Sequence, residues 1–384
     1  MGRKTITGLQ FRYGLWYIDK QVKGHGRICE STGTSDREEA ERYLIHRLEK
    51  IRLATVYGQR IQRLWREAAT KYLLDNSNMP SIDQTALHFR QLDEFIGDVP
   101  LDKLHDETLQ PFISSRLAEG VSNRTVNIAL ERVRRVLRLA ALKWRDELGM
   151  TWLETPPLLT MLDEKVDQRP PYPLSWVEQR ILIDTLPDHL ARMALYKLNT
   201  GCREQEVCKL RWDWEIPVPE VGRSVFLIPW NFGGRTKKNG VKNKDDRLVV
   251  LNDVAWSIVQ GQRGKDEEWV FPYEGRALHR MNDTAWKKGR KRAARKFEEE
   301  FHTAAPAGYA CLRIHDLKHT FGRRLRAAGV SFEDRQVLLG HRSDSVTTHY
   351  SAAELDDLIE AANKVASTES RKSPTLTLLK RKNG

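Results

Sequence analysis

The stretch "LLGHRSDSVTTHYS", residues 338–351, joins the end of one helical pattern to the start of another. Leu338 and Leu339 are typical of a buried helix face, and Gly340 is typical of the residue that ends a helix. A polar loop follows and leads to His349 and Tyr350, directly before the helical pattern "AAELDDLIEAANKV". A tyrosine at the end of so polar a loop is a candidate functional group.

The composition favours a polyanionic partner. The 384 residues include 64 lysines and arginines against 52 acids, which gives a formal charge of +12. Nucleic acid is the commonest partner for such an excess. A basic enzyme with solvated charged faces is the alternative.

No feature of the sequence predicts a disulfide framework, a metal cage or a membrane span. The four cysteines have no C-x-x-C spacing and are typical of reduced thiols: Cys29, Cys202, Cys208 and Cys311. No apolar run approaches the ~18 residues of a transmembrane helix. The N-terminus "MGRKTITGLQ" lacks the apolar stretch of a signal peptide and the myristoylation pattern. We therefore expect a cytoplasmic, nucleoid-associated protein without a membrane partner.

The pattern along the chain predicts several domains. Residues 1–34 mix aromatic and β-branched residues with glycines, which predicts a small antiparallel sheet, and a charged helix then runs from Ser35 or Asp36 to Gly58. Five prolines within residues 149–174 predict a linker. The predicted boundaries are 1–58 for the sheet and helix, 59–148 for a helical domain, 149–174 for the linker, 175–367 for a mixed α/β domain and 368–384 for a basic tail.

One helix of the second domain has a basic side. It begins at Ser122, and a buried stripe recurs every three or four residues through Leu130, Val133, Leu137, Ala141 and Trp144. Arg134 and Arg138 lie off this stripe, with Arg135 and Arg145. They are candidate DNA-phosphate ligands, and a solvated polar face is the alternative. In the last domain Lys291 and Arg295, in the basic helix "AWKKGRKRAARKFEEEF", are further candidate DNA contacts.

Three further motifs carry groups that suit an anion. In "RIHDLKHTFGRR", residues 313–324, His315, Lys318 and His319 fall on one helix face. Two histidines at this spacing could also bind zinc, but the lysine beside them would repel a cation. In "TGCREQEVCKLRW", residues 200–212, an arginine begins a helix, where its donors add to those of the backbone. The lysine-rich turn "KKNGVKNK" lies between the strand-like stretches "SVFLIPW" and "DRLVVL".

Taken in order, "TGCREQEVCKLRW", "HDLKHTFGRRL" and "LLGHRSDSVTTHYS" resemble the motifs of the tyrosine recombinases, the phage integrase family. The resemblance covers residues 173–366 and, less specifically, the N-terminal sheet and helical domain. It implies a mostly helical α+β protein. The implied domains are an arm-type DNA-binding sheet, a helical core-binding domain and a mixed α/β catalytic domain. The last helix would dock on a neighbouring subunit in a homo-tetramer on double-stranded DNA, and packing onto its own domain is the alternative.

The resemblance also implies the roles of six residues. Tyr350 would attack a DNA phosphorus and form a 3′-phosphotyrosyl link, with nearby cations favouring its phenolate. Arg203 would bind phosphate oxygens, and His315 and His341 would hydrogen-bond the phosphate or move a proton. Lys242, five residues before Arg247, would protonate the departing 5′-oxygen, with Lys238 and Lys244 as its rivals. Position 318 departs from the family's H-x-x-R, since lysine keeps the charge but loses the two-pronged grip of arginine.

The sequence therefore predicts a site-specific DNA recombinase that integrates or excises a phage or mobile element. No metal or other cofactor is expected, because the cations supply the charge stabilisation, and DNA-bending accessory proteins are possible partners. Two alternatives remain open. One is a DNA-relaxing enzyme of the type IB topoisomerase kind, and the other is a DNA-binding regulator without catalysis.

Overall fold

The computed structural model describes residues 7–232, 246–340 and 350–365, and it divides the chain into two compact units between Gln168 and Arg169. Two predicted functional residues, Lys242 and His341, lie outside the described residues, as does the predicted basic tail. Within the described ranges, no helix combines the length and hydropathy needed to cross a bilayer.

The first unit contains a small sheet and five helices. Its strands are β1 (Leu9–Arg12), β2 (Leu15–Val22) and β3 (Gly26–Ser31), and its helices are α1 (Arg37–Tyr57), α2 (Trp65–Asp75), α3 (Ile82–Ile96), α4 (Asp106–Ala118) and α5 (Asn123–Leu142). The strands pair antiparallel in the order β1-β2-β3, as the alternation predicted. Ile18 and Ile28 of the sheet pack against Leu44 and Ile51 of α1.

Helix α1 begins and ends as the sequence predicted. Asp36 caps its N-terminus by accepting from the backbone of the first turn, and Gly58 ends it with a φ of 64°. Helix α5 begins after Ser122, whose side chain accepts from the Thr125 amide. The helix ends at Leu142, however, so Arg145 lies beyond it and not on its polar face.

The helical part of the first unit is a bundle around the apolar stripe of α5. All five residues predicted for that stripe are buried together with Trp65, Phe89 and Phe112 of the other helices. Residues of the proline-containing segment, Leu153 and Leu159, are buried in the same core. The first part of the predicted linker is thus packed onto the bundle.

The second unit carries the three motifs. Its helices are α6 (Trp176–Thr185), α7 (Asp188–Thr200), α8 (Glu204–Cys208), α9 (Asp253–Gln260), α10 (Thr284–Phe301), α11 (Ala307–Ala310), α12 (Ile314–Ala327), α13 (Phe332–Leu339) and α14 (Ala352–Asn363). Its strands are β4 (Glu215–Val218), β5 (Arg223–Ile228), β6 (Arg247–Val249), β7 (Pro272–Tyr273) and β8 (Arg276–Ala277). Strands β4, β5 and β6 form one antiparallel sheet, and β7 and β8 form a short ribbon.

The N-terminal segment of this unit is fastened to α12. The buried carboxylate of Asp316 accepts from the guanidinium of Arg169 at 3.0 Å and from the amide of Tyr172 at 3.3 Å. The Leu174 amide donates to the hydroxyl of Thr320 at 3.0 Å. These bonds hold the chain that enters the unit along the helix that carries His315 and Lys318.

Helix α14 packs on its own unit, which is the alternative that the sequence left open. The stripe that the sequence assigned to docking on a neighbouring subunit is buried: Leu355, Leu358, Ile359 and Ala362. Asn252 and Asp253, at the start of α9, hydrogen-bond the Ala362 carbonyl and the Asn363 side chain. An apolar helix face is satisfied by whichever surface covers it, and here that surface belongs to the same chain.

Candidate functional site

Two helix C-termini bring their carbonyl groups to one place. Helix α7 ends at Gly201 with a φ of 62°, and α13 ends at Gly340 with a φ of 57°. The last carbonyls of a helix lack partners within the helix and carry the negative end of its dipole. We name the carbonyl oxygens of residues 200–202 and 338–340 the carbonyl cradle.

The first cation in the cradle is Arg247, at the start of β6. Its Nη2 lies 3.0 Å from the Leu338 carbonyl and 3.4 Å from the Thr200 carbonyl, so one guanidinium spans both helix ends. Its Nε lies 3.2 Å from a carboxylate oxygen of Glu206. The residue is only 3% exposed.

The second spanning cation is Lys318 of α12. Its Nζ donates to the Gly201 carbonyl at 2.7 Å and also to the Leu339 carbonyl. Burial, together with Arg247 and Arg203 nearby, lowers the pKa of this lysine to about 6. The lysine that replaces the family's arginine therefore joins the two motif-bearing turns through their backbone.

The third cation is Arg203, the residue that precedes α8. Its Nη2 lies 3.2 Å from the Gly340 carbonyl, and its Nη1 lies 2.8 Å from a carboxylate oxygen of Glu206. The backbone amide of Arg203 donates to the other oxygen of Glu206 at 2.6 Å. The side chain remains 30% exposed, so part of the guanidinium is open to a ligand.

The fourth cation is Lys197 of α7, whose Nζ donates to the Cys202 carbonyl. Burial lowers its pKa to about 8. These four basic side chains surround the buried carboxylate of Glu206, and Lys318 is the one that is largely neutral above pH 6. Burial alone would raise the pKa of Glu206, but Arg247 and Arg203 hold it below the usual value. The cradle thus carries an excess of positive charge, which suits an anion.

His315 lies at the edge of this group on the first turn of α12. Burial, followed by the charges of His319, Lys197 and Lys318, lowers its pKa to about 4. The imidazole is therefore neutral at pH 7 and can accept a proton or donate a hydrogen bond. Its ring meets that of His319 edge-on, with centroids 4.8 Å apart.

Tyr350 stands at the entry to α14, and its environment corrects one expectation. Its half-buried ring packs against apolar side chains that include Val225 and Leu355. Ser351 and Glu354 cap the helix that follows, with the Ser351 amide donating at 2.7 Å. Burial and Glu354 raise the pKa of the phenol, whereas the sequence argument expected nearby cations to lower it.

The structure brings together three of the predicted catalytic residues, Arg203, His315 and Lys318, although 115 positions separate the first from the last. Glu206, Arg247 and Lys197 escaped the sequence analysis as members of the site. Each has a signal in the sequence. Glu206 occupies the third position after the residue that caps α8, Arg247 ends the K-x-x-x-x-R pattern, and Lys197 interrupts the apolar stripe of α7.

The predicted DNA contacts lie on two helices, α5 of the first unit and α10 of the second. Arg134 and Arg138 are exposed on α5, and Lys291 and Arg295 are exposed on α10. Arg134 and Arg138 lie one turn apart, and Lys291 and Arg295 have the same spacing. Each pair therefore offers two charges on one helix face.

The close packing around Gly340 gives a testable consequence. An added Cβ would lie 1.3 Å from Nη1 of Arg247, and the positive φ is itself unfavourable for alanine. We expect Gly340→Ala to lower the free energy of unfolding by about 2–5 kcal/mol, combining backbone strain with overpacking. Urea unfolding measures this loss.

Gly329→Ala is the matched control for that substitution. Gly329 also has a positive φ, 72°, but no atom lies within 4 Å of an added Cβ. We expect a loss of only about 1–2 kcal/mol there, from backbone strain alone. Equal losses at both positions would show that the contact with Arg247 does not constrain Gly340.

Comparison with known proteins identifies the family of the segment that carries the motifs. Residues 179–356 match the model of the phage integrase family. This segment belongs to that family. The integrase of Salmonella phage P22 is 23% identical over 97% of this chain and 98% of its own length. The enzyme class is therefore that of tyrosine-type site-specific recombinases, as the three motifs predicted.

Solved structures of the family have the same fold. A lambda integrase dimer bound to a COC′ core site superposes with a TM-score of 0.53 at 12% identity, covering 94% of this chain and 96% of that one. A lambda integrase tetramer bound to a Holliday junction gives a TM-score of 0.50 at 12% identity, covering 91% and 99%. The predicted α+β fold with its N-terminal sheet is thereby confirmed.

Proposed function

We propose that this protein cuts and rejoins DNA strands at specific sites through a covalent link between Tyr350 and a 3′-phosphate. The reaction would integrate or excise a phage or mobile element. The observation that carries the proposal is the carbonyl cradle, where four basic side chains surround one buried carboxylate, that of Glu206, within the described part of the chain. Because buried charge without a counter-charge is costly, such a site gains most from binding an anion.

The cradle suits the transition state of phosphoryl transfer. As the phenolic oxygen of Tyr350 bonds to phosphorus, the P–O5′ bond breaks and negative charge grows on the non-bridging oxygens. The exposed part of the Arg203 guanidinium would hydrogen-bond those oxygens. Protonated Lys318 would add positive charge near the phosphate. Neutral His315 would hydrogen-bond the phosphate or take part in proton transfer.

Two of the proposed participants lie outside the described residues. Lys242 would give its proton to the departing 5′-oxygen, so that the strand leaves as a 5′-hydroxyl. His341 would hydrogen-bond the phosphate beside Arg203. Rejoining reverses these steps, when a 5′-hydroxyl attacks the phosphotyrosyl bond and the phenol regains its proton.

The raised pKa of Tyr350 fits an enzyme at rest. A neutral phenol packed on Val225 and Leu355 is a poor nucleophile, so the protein without DNA is protected from side reactions. Proton removal would accompany the arrival of the phosphate. The protein would act as a homo-tetramer on double-stranded DNA, and accessory proteins could bend the DNA between sites.

Nicked duplexes test the proposal directly. The probe carries the boundary sequence between the mobile element and its host, with a nick placed so that the cleaved fragment diffuses away. We expect a protein–DNA adduct that survives denaturing electrophoresis. A protein that binds the duplex tightly without ever becoming linked to it would favour the regulator. Relaxation of supercoiled plasmids that lack the site would favour the topoisomerase.

The basic side of α5 provides a second test, on DNA affinity. Arg134 and Arg138 make no hydrogen bond or ion pair with other described residues, so both are available for phosphates. Each phosphate contact contributes about 0.9 to the slope of log K against log salt concentration. We expect the double variant Arg134→Gln, Arg138→Gln to bind more weakly and to lower that slope by about 2. Fluorescence anisotropy at several salt concentrations measures it.

Arg124→Gln is the control for this double variant. Arg124 lies on the same helix, but its guanidinium is paired with Glu164 at 3.0 Å. We expect its salt slope to match that of the parent protein. An unchanged slope in the double variant would place the DNA on another face.

A further inference from the structure

Lys197 is the least expected member of the carbonyl cradle. It lies on the buried side of α7 with Leu190, Met193 and Ala194, where a leucine or methionine would complete the apolar stripe. Its exposure is 0%, and no carboxylate pairs with it among the described residues. The carboxylate of Glu206 is already taken by Arg203 and Arg247.

Burying this ammonium costs stability. An apolar residue of similar volume at a buried charged position is often neutral or stabilising. The lowered pKa of Lys197, caused first by burial, reports the same cost. A charge at a position that the core would fill better with methionine is best explained by a function, because rules of packing are broken mainly at functional sites.

Among the described residues Lys197 makes one hydrogen bond, and its partner indicates what that function is. Its Nζ donates to the Cys202 carbonyl, which belongs to the peptide unit joining Cys202 to Arg203. Arg247 and Lys318 hold the two preceding carbonyls, those of Thr200 and Gly201. Three consecutive peptide units before Arg203 are therefore each fixed by a buried cation.

We propose that Lys197 is a positioning residue for Arg203. By holding the last peptide unit before Arg203, Lys197 fixes the direction in which the Arg203 side chain extends from the backbone. Its ammonium also adds positive charge near the phosphate-binding group. This inference rests on the proposed function, since Arg203 acts there on the DNA phosphate. The lysine itself touches neither DNA nor the reacting atoms.

Lys197→Met tests the inference, since methionine keeps the length of the side chain and removes the charge. We expect the cleavage rate on saturating nicked duplex to fall between about tenfold and a hundredfold, as when one preorganised donor is lost. The affinity for the same duplex should stay within about twofold, because the binding surfaces are intact. The melting temperature should stay the same or rise.

Lys265→Met is the matched control. Lys265 is exposed in the same unit and donates only to Gln262, so the same change removes one charge far from the core. We expect its cleavage rate to equal that of the parent protein. The opposite movement of rate and melting temperature in Lys197→Met separates positioning from a purely structural role.

Three outcomes would overturn the inference: an unchanged cleavage rate in Lys197→Met, a rate loss accompanied by a matching fall in melting temperature, or a loss confined to affinity. None of them touches the proposed function, which depends on whether the parent protein forms the adduct at all.

Discussion

Replacing Tyr350 with phenylalanine is expected to abolish the covalent protein–DNA adduct and to leave DNA binding within about twofold of the parent protein. Loss of an enzyme's nucleophile commonly costs about 10⁴–10⁶ in rate, so the adduct should fall below detection. Only the phenolic oxygen is removed. The hydroxyl makes no hydrogen bond to the described residues, and the ring keeps its packing against Val225 and Leu355.

The measurement uses the nicked duplex on denaturing gels, with anisotropy on the same duplex for binding. Tyr273→Phe is the control, since Tyr273 is a partly exposed tyrosine of the same unit that stacks on His189. Its adduct should form at the parent rate. Persistence of the adduct in the Tyr350→Phe protein would remove Tyr350 from the mechanism and with it the proposed chemistry.

The pKa of Tyr350 is a property that the sequence did not predict correctly. The order of the motifs predicts the tyrosine and its partners, and the structure brings Arg203, His315 and Lys318 together. The direction of the phenol's pKa depends on which side chains surround it. Glu354 lies only four residues after Tyr350. Its effect on the pKa of the phenol depends on local geometry, because Glu354 caps α14 together with Ser351.

More of the fold than of the site could be predicted from the sequence. The stripe of α5, the helix ends at Gly58 and Gly340, and the strands on either side of the lysine-rich turn follow from periodicity and from glycine chemistry. These are local signals. The surface that covers α14 could not be predicted, because an apolar stripe shows that a helix face is buried but not which surface buries it.

The carbonyl cradle could not be predicted, because it joins backbone atoms and side chains far apart in sequence. Arg247 spans from Thr200 to Leu338, two carbonyls separated by 138 positions. Sequence motifs are patterns of side chains. The hydrogen-bond acceptors in the cradle are backbone carbonyls, which any residue type supplies. Lys197 carried a signal of its own, as a charge within an apolar stripe.

The cradle also explains how the family's pattern can change at position 318. An arginine there would be expected to grip the phosphate with two prongs. Protonated Lys318 instead donates two of its three N–H groups to the Gly201 and Leu339 carbonyls. One N–H group then remains for a ligand. In the proposed complex with DNA, protonated Lys318 would join the two turns and make a single charge-assisted contact with the phosphate.

We accordingly expect Lys318→Ala to lower the cleavage rate by about 10²–10³-fold, the usual loss for one oxyanion-stabilising donor, with little change in site affinity. The change removes a charge at the phosphate and the bridge between the turns that carry Arg203 and Gly340. Single-turnover cleavage of the nicked duplex measures the rate. Lys265→Ala, at an exposed position, should behave as the parent protein.

The protonation of Lys318 supplies a second measurement with a definite sign. Its pKa is lowered to about 6 in the protein without DNA, so the amine is largely neutral above that pH. A bound phosphate favours the ammonium and raises the pKa, so DNA binding must take up a proton, and this contribution to affinity weakens as pH rises above 6. Titration calorimetry at pH 7.5 in buffers of different ionisation enthalpy counts that proton. The Lys318→Ala protein should take up fewer protons than the parent, and equal uptake with equal cleavage would show that another cation, such as exposed Arg323, fills the role.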